Sequence, residues 1–395
     1  MKKIMTLAAV AALVLSACAK IETETAKTEP EAICFGVYTP KAVSTKVGGQ
    51  AGTQTNLTLG KSDGAGFGVY AFYSDNSTNG ATNDYNPASS NFTPNFMWNT
   101  NVKGNGDGSD PADAWTYSPI KYWPNEYVAS VTDQGIDKIT FFAYAPWVSA
   151  DKSTGKVGSE TEGITTLSNN DTTGDPTLTF VVPASAADQV DVLYADKTNL
   201  MNLTKPASNA PVQFTFKHAL TSIAFRVQTF INGVNDTANL TDEGAAVDGA
   251  TTVTLKEVYF GGASVYPSGT LNIATGVWTP AAAGTKTFSK TGLTQTVTKT
   301  KADVADFGPI MIIPKEAATS YDVRVVYTVE TTDSDLKTGK STVNNDIKKT
   351  LNLSLQAGKK NTIDLVLGLY TVEMTATVSN WETADPQEVD LPQNN

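Results

Sequence analysis

Few residues in this chain could carry chemistry. It has a single histidine, His218, so any Ser-His-Asp or Cys-His arrangement would have to use that residue. His218 ends a strand-like run with Phe214 and Phe216 on the same face, a position typical of a hydrogen-bonded structural histidine. Residues 105–113, NGDGSDPAD, are similar to a calcium loop but lack the glycine and glutamate that an EF-hand requires. We therefore predict no catalytic, cofactor or metal site.

The charge balance argues against nucleic acid as a partner. Lysine and arginine number 29 and acidic residues 40, for a net charge of −11, and the arginines are Arg226 and Arg324 alone. Binding to a phosphate backbone requires a basic surface, so we expect no nucleic-acid binding. Charged residues make up 17% of the 395-residue chain. Thr, Asn, Ser and Gly take their place, a composition typical of short strands joined by polar turns.

The N-terminus has the features of an export signal. Lys2 and Lys3 precede the mainly apolar residues 4–15, a stretch shorter than the roughly 20 residues that span a bilayer. It ends in Leu-Ser-Ala-Cys at residues 15–18, which resembles the lipobox of bacterial lipoproteins. We predict a signal peptide at 1–17, lipidation at Cys18 and a flexible tether at 18–31. Cys34, then left without a partner, is predicted to be a buried free thiol.

The rest of the chain has the period of β-strands. Apolar and polar residues alternate in six segments, at residues 67–73, 139–145, 214–218, 321–330, 351–356 and 371–378. This period places one side of each strand in a core and the other in solvent. Residues 183–188 fit at most a short turn of helix. The sequence therefore predicts an all-β fold.

A polar, proline-bracketed run at residues 204–211 divides two strand-rich halves. We predict β-sandwich domains at residues 32–205 and 210–381, followed by an acidic tail at 382–395. Residues 74–123 contain many Asn, Gly, Ser and Pro together with aromatic residues, and are too long for a plain connection. We expect them to form a long aromatic-rich loop region packed on the first domain.

Five segments together resemble the fimbrillin family, the subunits of type V pili of Gram-negative bacteria. They are WTYSPIKYWP at 115–124, ITFFAYAP at 139–146, VDVLYA at 190–195, FTFKHALTSIAFRV at 214–227, and the ending at 357–381. The resemblance implies two transthyretin-like β-sandwich domains in tandem. It also implies export as an outer-membrane lipoprotein and assembly into fimbriae on the cell surface.

The resemblance further implies that a protease removes the N-terminal segment with the first strand, and that the vacated groove accepts a strand from a neighbouring subunit. The resemblance implies a cut after arginine, but no arginine precedes Arg226. We therefore place the cut after Lys46 and before Val47, in a glycine-containing run, with Lys41 as the second candidate. The released strand would comprise Ile33, Cys34, Phe35, Gly36, Val37 and Tyr38.

The acidic tail has few apolar residues and would make a poor donor strand, which favours a tip or accessory position over a stalk position. The expected partners are other fimbrial subunits, the outer membrane through the lipid, and a host or bacterial surface ligand. Thr172 and Thr237 follow aspartates in tripeptides that resemble the O-glycosylation pattern of bacteria that carry fimbrillins.

Two other classes of function remain open on the sequence alone. One is a monomeric surface lipoprotein that binds glycans through the aromatic residues of 74–123. The other is a secreted glycoside hydrolase, whose two carboxylates could lie anywhere among the 40 acidic residues.

Overall fold

The computed structural model describes residues 31–38, 66–74, 84–104, 115–124, 137–206, 210–231, 250–281 and 284–381. The predicted all-β fold is confirmed there, since the helical elements in these ranges are two 3₁₀ turns, Ala186–Asp188 and Lys197–Asn199. The first turn falls within the predicted segment 183–188. No helix in this part of the chain is long and apolar enough to cross a membrane.

Seven strands of the first half form a closed barrel in the order β1-β4-β3-β2-β5-β8-β9. All neighbours are antiparallel except β1 and β9, which run parallel and close the barrel. The strands are β1 Phe35–Tyr38, β2 Phe67–Ser74, β3 Met97–Gly104, β4 Trp115–Thr116, β5 Lys138–Ala145, β8 Leu193–Ala195 and β9 Val212–His218.

Strands β2 and β5 have nearly every residue buried, because each lies between two cores. Phe67 and Phe141 point into the barrel core. The residues of opposite parity, such as Phe72 and Phe142, belong to a second core that continues into the other half of the chain. The barrel is thus packed against the rest of the molecule through these two strands.

The remaining strands form three further sheets. Their orders are β16-β10-β20-β21 with β17 beside β10, β14-β11-β18-β19 with β15 beside β11, and β13-β12-β7-β6. Their strands are β6 Gly163–Leu167, β7 Thr177–Val181, β10 Thr221–Thr229, β11 Thr251–Gly262, β12 Ser268–Asn272, β13 Trp278–Pro280, β14 Lys286–Lys290, β15 Gln295–Val297, β16 Ala302–Asp303, β17 Ile310–Ile312, β18 Lys315–Thr332, β19 Lys340–Leu355, β20 Lys359–Leu367 and β21 Val372–Asn380.

The sheets do not divide at residues 205–210. Strand β9, which lies after the predicted boundary, pairs with β1 and β8 in the barrel. Strand β7, which lies before it, pairs with β12 of the second half. A polar linker therefore marks a loop here, whereas backbone hydrogen bonds join the elements on its two sides.

The aromatic-rich region at 74–123 does pack on the first half, as expected, but it is not only a loop. It contributes β3 and β4 to the barrel wall. The alternation along β3 is hard to detect because β3 carries Asn99 and Asn101, and its pairing with β2 shifts register between Val69 and Ala71. Its aromatic residues Tyr85, Phe92, Trp115, Tyr117 and Trp123 are buried.

Candidate functional site: the first strand and its groove

Strand β1 is hydrogen-bonded along both of its edges. On one side Phe35 pairs with Trp115 of β4, and on the other Phe35–Tyr38 pair in parallel with residues 212–215 of β9. The extended chain continues upstream, where Ala32 bridges to Tyr122. The predicted first strand at Ile33–Tyr38 thus lies inside the fold, as expected of a strand with two largely apolar faces.

The side chains of this strand complete the barrel core. Ile33 is fully buried and Phe35 is 4% exposed. The Phe35 ring lies among three other rings, with centroids 5.0 Å from Tyr117, 5.4 Å from Phe214 and 5.8 Å from Phe141. Val37 packs against the same core from a partly buried position. The strand therefore supplies core side chains as well as wall.

The main-chain polar groups of the segment also have specific partners. The Ile33 N–H donates to the Lys121 carbonyl at 2.8 Å, and the Val212 N–H donates to the Cys34 carbonyl at 2.8 Å. The Tyr117 hydroxyl donates to the Ile33 carbonyl at 2.8 Å. Burial of this hydroxyl raises the pKa of Tyr117 to about 12. Most of these bonds reach backbone atoms, which any extended chain possesses.

Gly36 has a steric role in the pairing with β9. A Cβ atom built at Gly36 would lie 2.7 Å from the Cδ atom of Gln213, the residue paired with it. The glycine thus leaves room for the Gln213 side chain across the strand. Because Gln213 is flexible and exposed, this contact tolerates change better than those of Phe35 do.

Cys34 corrects one prediction. It is buried at 7% exposure, as expected, but it is disulfide-bonded and not a free thiol. The prediction assumed that a lipid on Cys18, the other cysteine of the chain, leaves Cys34 unpaired. Lipidation of Cys18 stays a prediction, because Cys18 lies outside the described residues.

Several predicted site residues fall outside the described ranges, namely Cys18, Lys41, Lys46, Val47 and Thr237. Thr172 does lie within them. It occupies an exposed turn, where its hydroxyl donates to Asn169 Oδ1 at 2.8 Å. The turn is open to solvent, which makes Thr172 accessible to modification. Its glycosylation stays a prediction.

His218 has a structural environment. Its Nδ1 lies 2.6 Å from Asp191 Oδ2, and its ring stacks on Trp381 with centroids 4.3 Å apart and planes inclined by 5°. His218 ends β9, while Trp381 directly follows β21, so the contact connects the barrel to the last strand. In the described part of the chain, no group of three or more His, Cys, Asp or Glu is placed to hold a metal ion.

Four tryptophans that could stack on sugar rings make other contacts. Trp98 Nε1 donates to the Ser168 carbonyl at 2.9 Å, and Trp147 Nε1 to the Asn99 carbonyl at 3.0 Å. Trp115 and Trp123 are 8% and 3% exposed. These rings pack the barrel and its surroundings, and none of the four is exposed as a platform for a sugar.

The residues around β1 could not be identified from sequence. Tyr117, Trp123 and Val212 lie 79 to 174 positions beyond Tyr38 along the chain. The sequence shows that these residues are aromatic or apolar, but only the closure of the barrel places them together. Spacing along the chain carried no signal of that juxtaposition.

Comparison with known proteins gives the family. The chain is 32% identical over 254 residues to the fimbrium subunit Fim1C of Phocaeicola vulgatus, which covers 63% of this chain and 58% of that protein. It thus spans little more than half the length of that curated relative. A fimbrial protein of Bacteroides vulgatus shares the fold with a TM-score of 0.65 and 23% identity, over 89% of this chain and 99% of that one. The sequence model of the fimbrillin-like family matches residues 51–381, so this chain belongs to the fimbrillin-like family.

Proposed function

We propose that this protein is a subunit of a surface fimbria, assembled when a strand from a neighbouring subunit replaces β1. The observation that carries the proposal is the position of β1, which is hydrogen-bonded on both edges and closes the barrel. Membership of the fimbrillin-like family and the similarity to a fimbrium subunit support it. The relatives are fimbrial proteins, so we assign a structural or adhesive role and no enzymatic one.

Loss of β1 would leave an open and costly groove. Ile33 and Phe35 would withdraw two buried apolar side chains, each worth roughly 1.5–3 kcal/mol of burial. The edges of β4 and β9 would lose their ladder partners, and the Tyr117 hydroxyl would lose the shorter of its two bonds to carbonyl acceptors. An inserted strand restores both contributions through backbone pairing, which is β-augmentation.

The proposal includes the route to the surface. The lipobox-like residues 15–18 support export as a lipoprotein anchored to the outer membrane through Cys18, before assembly at the cell surface. Both cysteines precede Lys46, so a cut after Lys46 would remove the lipid and Cys34 together with β1. We favour a tip or accessory position, because the tail at 382–395 has few apolar residues with which to fill a groove.

Site-specific cleavage tests the assembly step. A recognition sequence for a specific protease is inserted after Lys46 in the full chain, and the matched control carries it in the tail after Trp381. Cutting after Lys46 should move the chain into larger assemblies in size-exclusion chromatography, either of itself or, for a tip or accessory subunit without a donor strand, of co-expressed subunits, whereas cutting in the tail should leave a monomer. A chain cut after Lys46 that stays monomeric, and does not join fimbriae of co-expressed subunits, contradicts the proposal.

Fatty-acid labelling tests the anchor independently. Cys18→Ala should abolish incorporation of labelled palmitate and move the protein out of the membrane fraction, while Cys34→Ala should leave both unchanged. Labelling that survives Cys18→Ala would reject the lipidation site and leave the strand-exchange step to be judged by cleavage.

A further inference from the structure

Strand β21 borders a groove at its free edge. Within the described ranges β21 pairs with β20 alone, and the edge strand β19 pairs with β18 alone. A cavity of about 340 Å³ lies between these two edge strands, and we call it the β19–β21 groove. All of its lining residues belong to β19, β20 or β21: Leu351, Asn352, Leu353, Ser354, Asn361, Ala376 and Val378.

The pairing of β21 with β20 shows that its residues at the groove face the core. Val378 is paired with Asn361, which is 1% exposed, and Ala376 is paired with Ile363, which is fully buried. Partners in an antiparallel ladder share one face of the sheet, so Val378 and Ala376 lie on the core side. Val378 is nevertheless 59% exposed. The core face of this sheet thus extends beyond the side chains that cover it in the described chain.

Asn361 supplies an independent sign that a segment is missing from the groove. Its Nδ2 donates to Thr221 Oγ1 at 3.0 Å and to the Ser222 carbonyl at 3.3 Å, both on β10. Its Oδ1 is buried and accepts no hydrogen bond from the described residues. Because β10 and β21 lie on opposite sides of β20, this oxygen points away from β10 and toward the groove. A buried acceptor without a donor costs free energy, so the groove favours an occupant with a donor as well as apolar side chains.

Two lysines beside the groove have no ion-pair partner among the described residues. Lys349 lies two positions before Leu351 and shares its face, because both are paired with buried residues of β18. Lys360 is paired with Ser379 of β21. The tail at 382–395 carries four carboxylates and no basic residue: Glu382, Asp385, Glu388 and Asp390. Its charge therefore complements that of the groove.

The tail starts at the end of β21 that borders the groove. The Trp381 N–H donates to the Gly358 carbonyl at 2.9 Å, and Val378 lies three residues earlier. Fourteen residues follow Trp381 (395 − 381 = 14). A turn over residues 382–387 leaves residues 388–393 to run back along β21. Six extended residues span about 20 Å, which matches the exposed end of this strand.

The sequence of the tail matches what the groove lacks. Alternate residues of an extended segment share a side, and one such set is Val389, Leu391 and Gln393. Two of these side chains are apolar and the third carries an amide donor. Pro392 belongs to the other set, and an edge strand accepts proline where the missing N–H faces solvent.

We propose that residues 388–393 form an added strand, antiparallel to the free edge of β21. Val389 and Leu391 cover the exposed part of the core face, and the Gln393 amide donates to Asn361 Oδ1. The inference assigns the tail to the second core of its own chain. It goes beyond the proposed strand exchange at β1 and does not depend on it.

Hydrogen exchange of the β21 amides tests the added strand. The amides of residues 375–380 that point to the free edge should exchange at least about tenfold more slowly in the full chain than in a chain shortened to Trp381, because the added strand supplies their acceptors. Leu391→Ser should speed the exchange of the same amides. The matched control is Asp390→Ser, on the opposite side of the segment, which should stay within about threefold of the natural chain. Unchanged exchange in β1 shows that each variant is folded.

Equal exchange of these amides in the full and the shortened chain would overturn the proposal. Equal effects of Leu391→Ser and Asp390→Ser would also overturn it, since they would show that neither side of the segment faces the core. The slow exchange should be independent of protein concentration. A dependence on concentration would assign the added strand to the tail of a second copy and would contradict pairing within one chain.

Discussion

The first and last strands of the described chain are held in opposite ways. Strand β1 has four residues, is paired on both edges and contributes Phe35 to the barrel core. Strand β21 has nine residues, yet it pairs with β20 alone and its residues are exposed from Thr375 onward. The shorter strand is the more deeply integrated, because insertion between two neighbours buries more surface and more backbone groups per residue than pairing at an edge.

This difference bears on the proposed strand exchange. Strand β1 is held by core contacts and by bonds to backbone carbonyls, which another extended chain with suitable side chains could also make. Strand β21 stays attached through covalent continuity and one ladder, and presents a free edge. The comparison predicts that equal changes in the two strands have unequal effects.

The largest effect is expected from truncation of Phe35. Phe35→Ala removes a buried ring with three aromatic neighbours and should lower the free energy of unfolding by about 3–5 kcal/mol. The matched change in β21 is Val378→Ala, where the side chain is 59% exposed and the loss should stay below about 0.5 kcal/mol. Urea denaturation of the uncut chain measures both, and similar losses would remove the contrast between the strands.

Removal of the Tyr117 hydroxyl should have the next largest effect. Tyr117→Phe leaves the Ile33 carbonyl without this donor and should cost about 1–3 kcal/mol. Tyr122→Phe is the control, because Tyr122 is 46% exposed and should change stability little. Equilibrium denaturation at pH 7 compares the two variants. An unchanged free energy of unfolding for Tyr117→Phe would mean that the bond does not help to retain β1.

The same residue predicts a pH dependence with a definite sign. An unfolded tyrosine has a pKa near 10, and burial raises that of Tyr117 to about 12. Between these values the unfolded state loses the proton first, so the stability that the protonated hydroxyl contributes is lost as pH rises from about 10 to about 12. The stability difference between the natural chain and Tyr117→Phe should therefore shrink over that interval. A difference that stays constant would contradict the assigned pKa.

A smaller effect is expected at Asp364, which fixes β20, the sole partner of β21. Arg226 Nε and Lys301 Nζ lie 2.8 and 2.7 Å from its carboxylate oxygens. Burial alone would raise the pKa of Asp364, but the hydrogen bonds from these two cations hold it below its ordinary value. Both cations are about one-third exposed, so Asp364→Asn should cost about 1 kcal/mol at neutral pH.

Because the pKa of Asp364 is lowered in the folded state, its contribution is present above the unfolded pKa near 4 and is lost as pH falls through the folded value. The natural chain should therefore lose more stability than Asp364→Asn when the pH is taken from 6 to about 2. Acid denaturation curves of the two proteins measure this difference. Parallel curves would show that protonation of Asp364 does not contribute to the loss of stability in acid.

The smallest effect is expected at the stack that joins the end of β21 to the barrel. Trp381→Leu keeps an apolar side chain but loses the stacking on His218, which is worth about 0.5–1.5 kcal/mol. The change should act locally and speed hydrogen exchange of the amides at residues 378–381, while those of β1 keep their protection. Faster exchange in β1 as well would show that the two terminal strands are coupled.

The alternation of residues was sufficient to predict strands but not their neighbours. It located β2, β5, β9, β18 and β21, because one parity of each is apolar. It missed β3, where Asn99 and Asn101 interrupt the pattern. The buried Asn99 side chain has a distant partner, since its Nδ2 donates to the Val148 carbonyl at 2.9 Å. Burial of polar residues depends on partners that lie far along the chain.

Some features of the candidate site could also be predicted from the sequence and others could not. Ile33–Tyr38 could be recognised as a buried strand, because its two parities are both largely apolar. The paired state of Cys34 could not be predicted, because the number and positions of the cysteines do not show which of them pair. A pocket lined by Trp123, Leu203 and Val212 could not be predicted either, because these residues come from three separate segments.

The sequence by itself thus determined the all-β class, through local composition and alternation. Five of its segments carried the resemblance to the family, and that resemblance implied which strand is the candidate for exchange. Only the tertiary structure decided that β9 closes the barrel beside β1, that β7 pairs across the predicted linker, and that the Tyr117 hydroxyl bonds the Ile33 carbonyl. The physical reason is that periodicity assigns each strand a buried face, whereas hydrogen-bond partners are chosen by closure of the whole sheet.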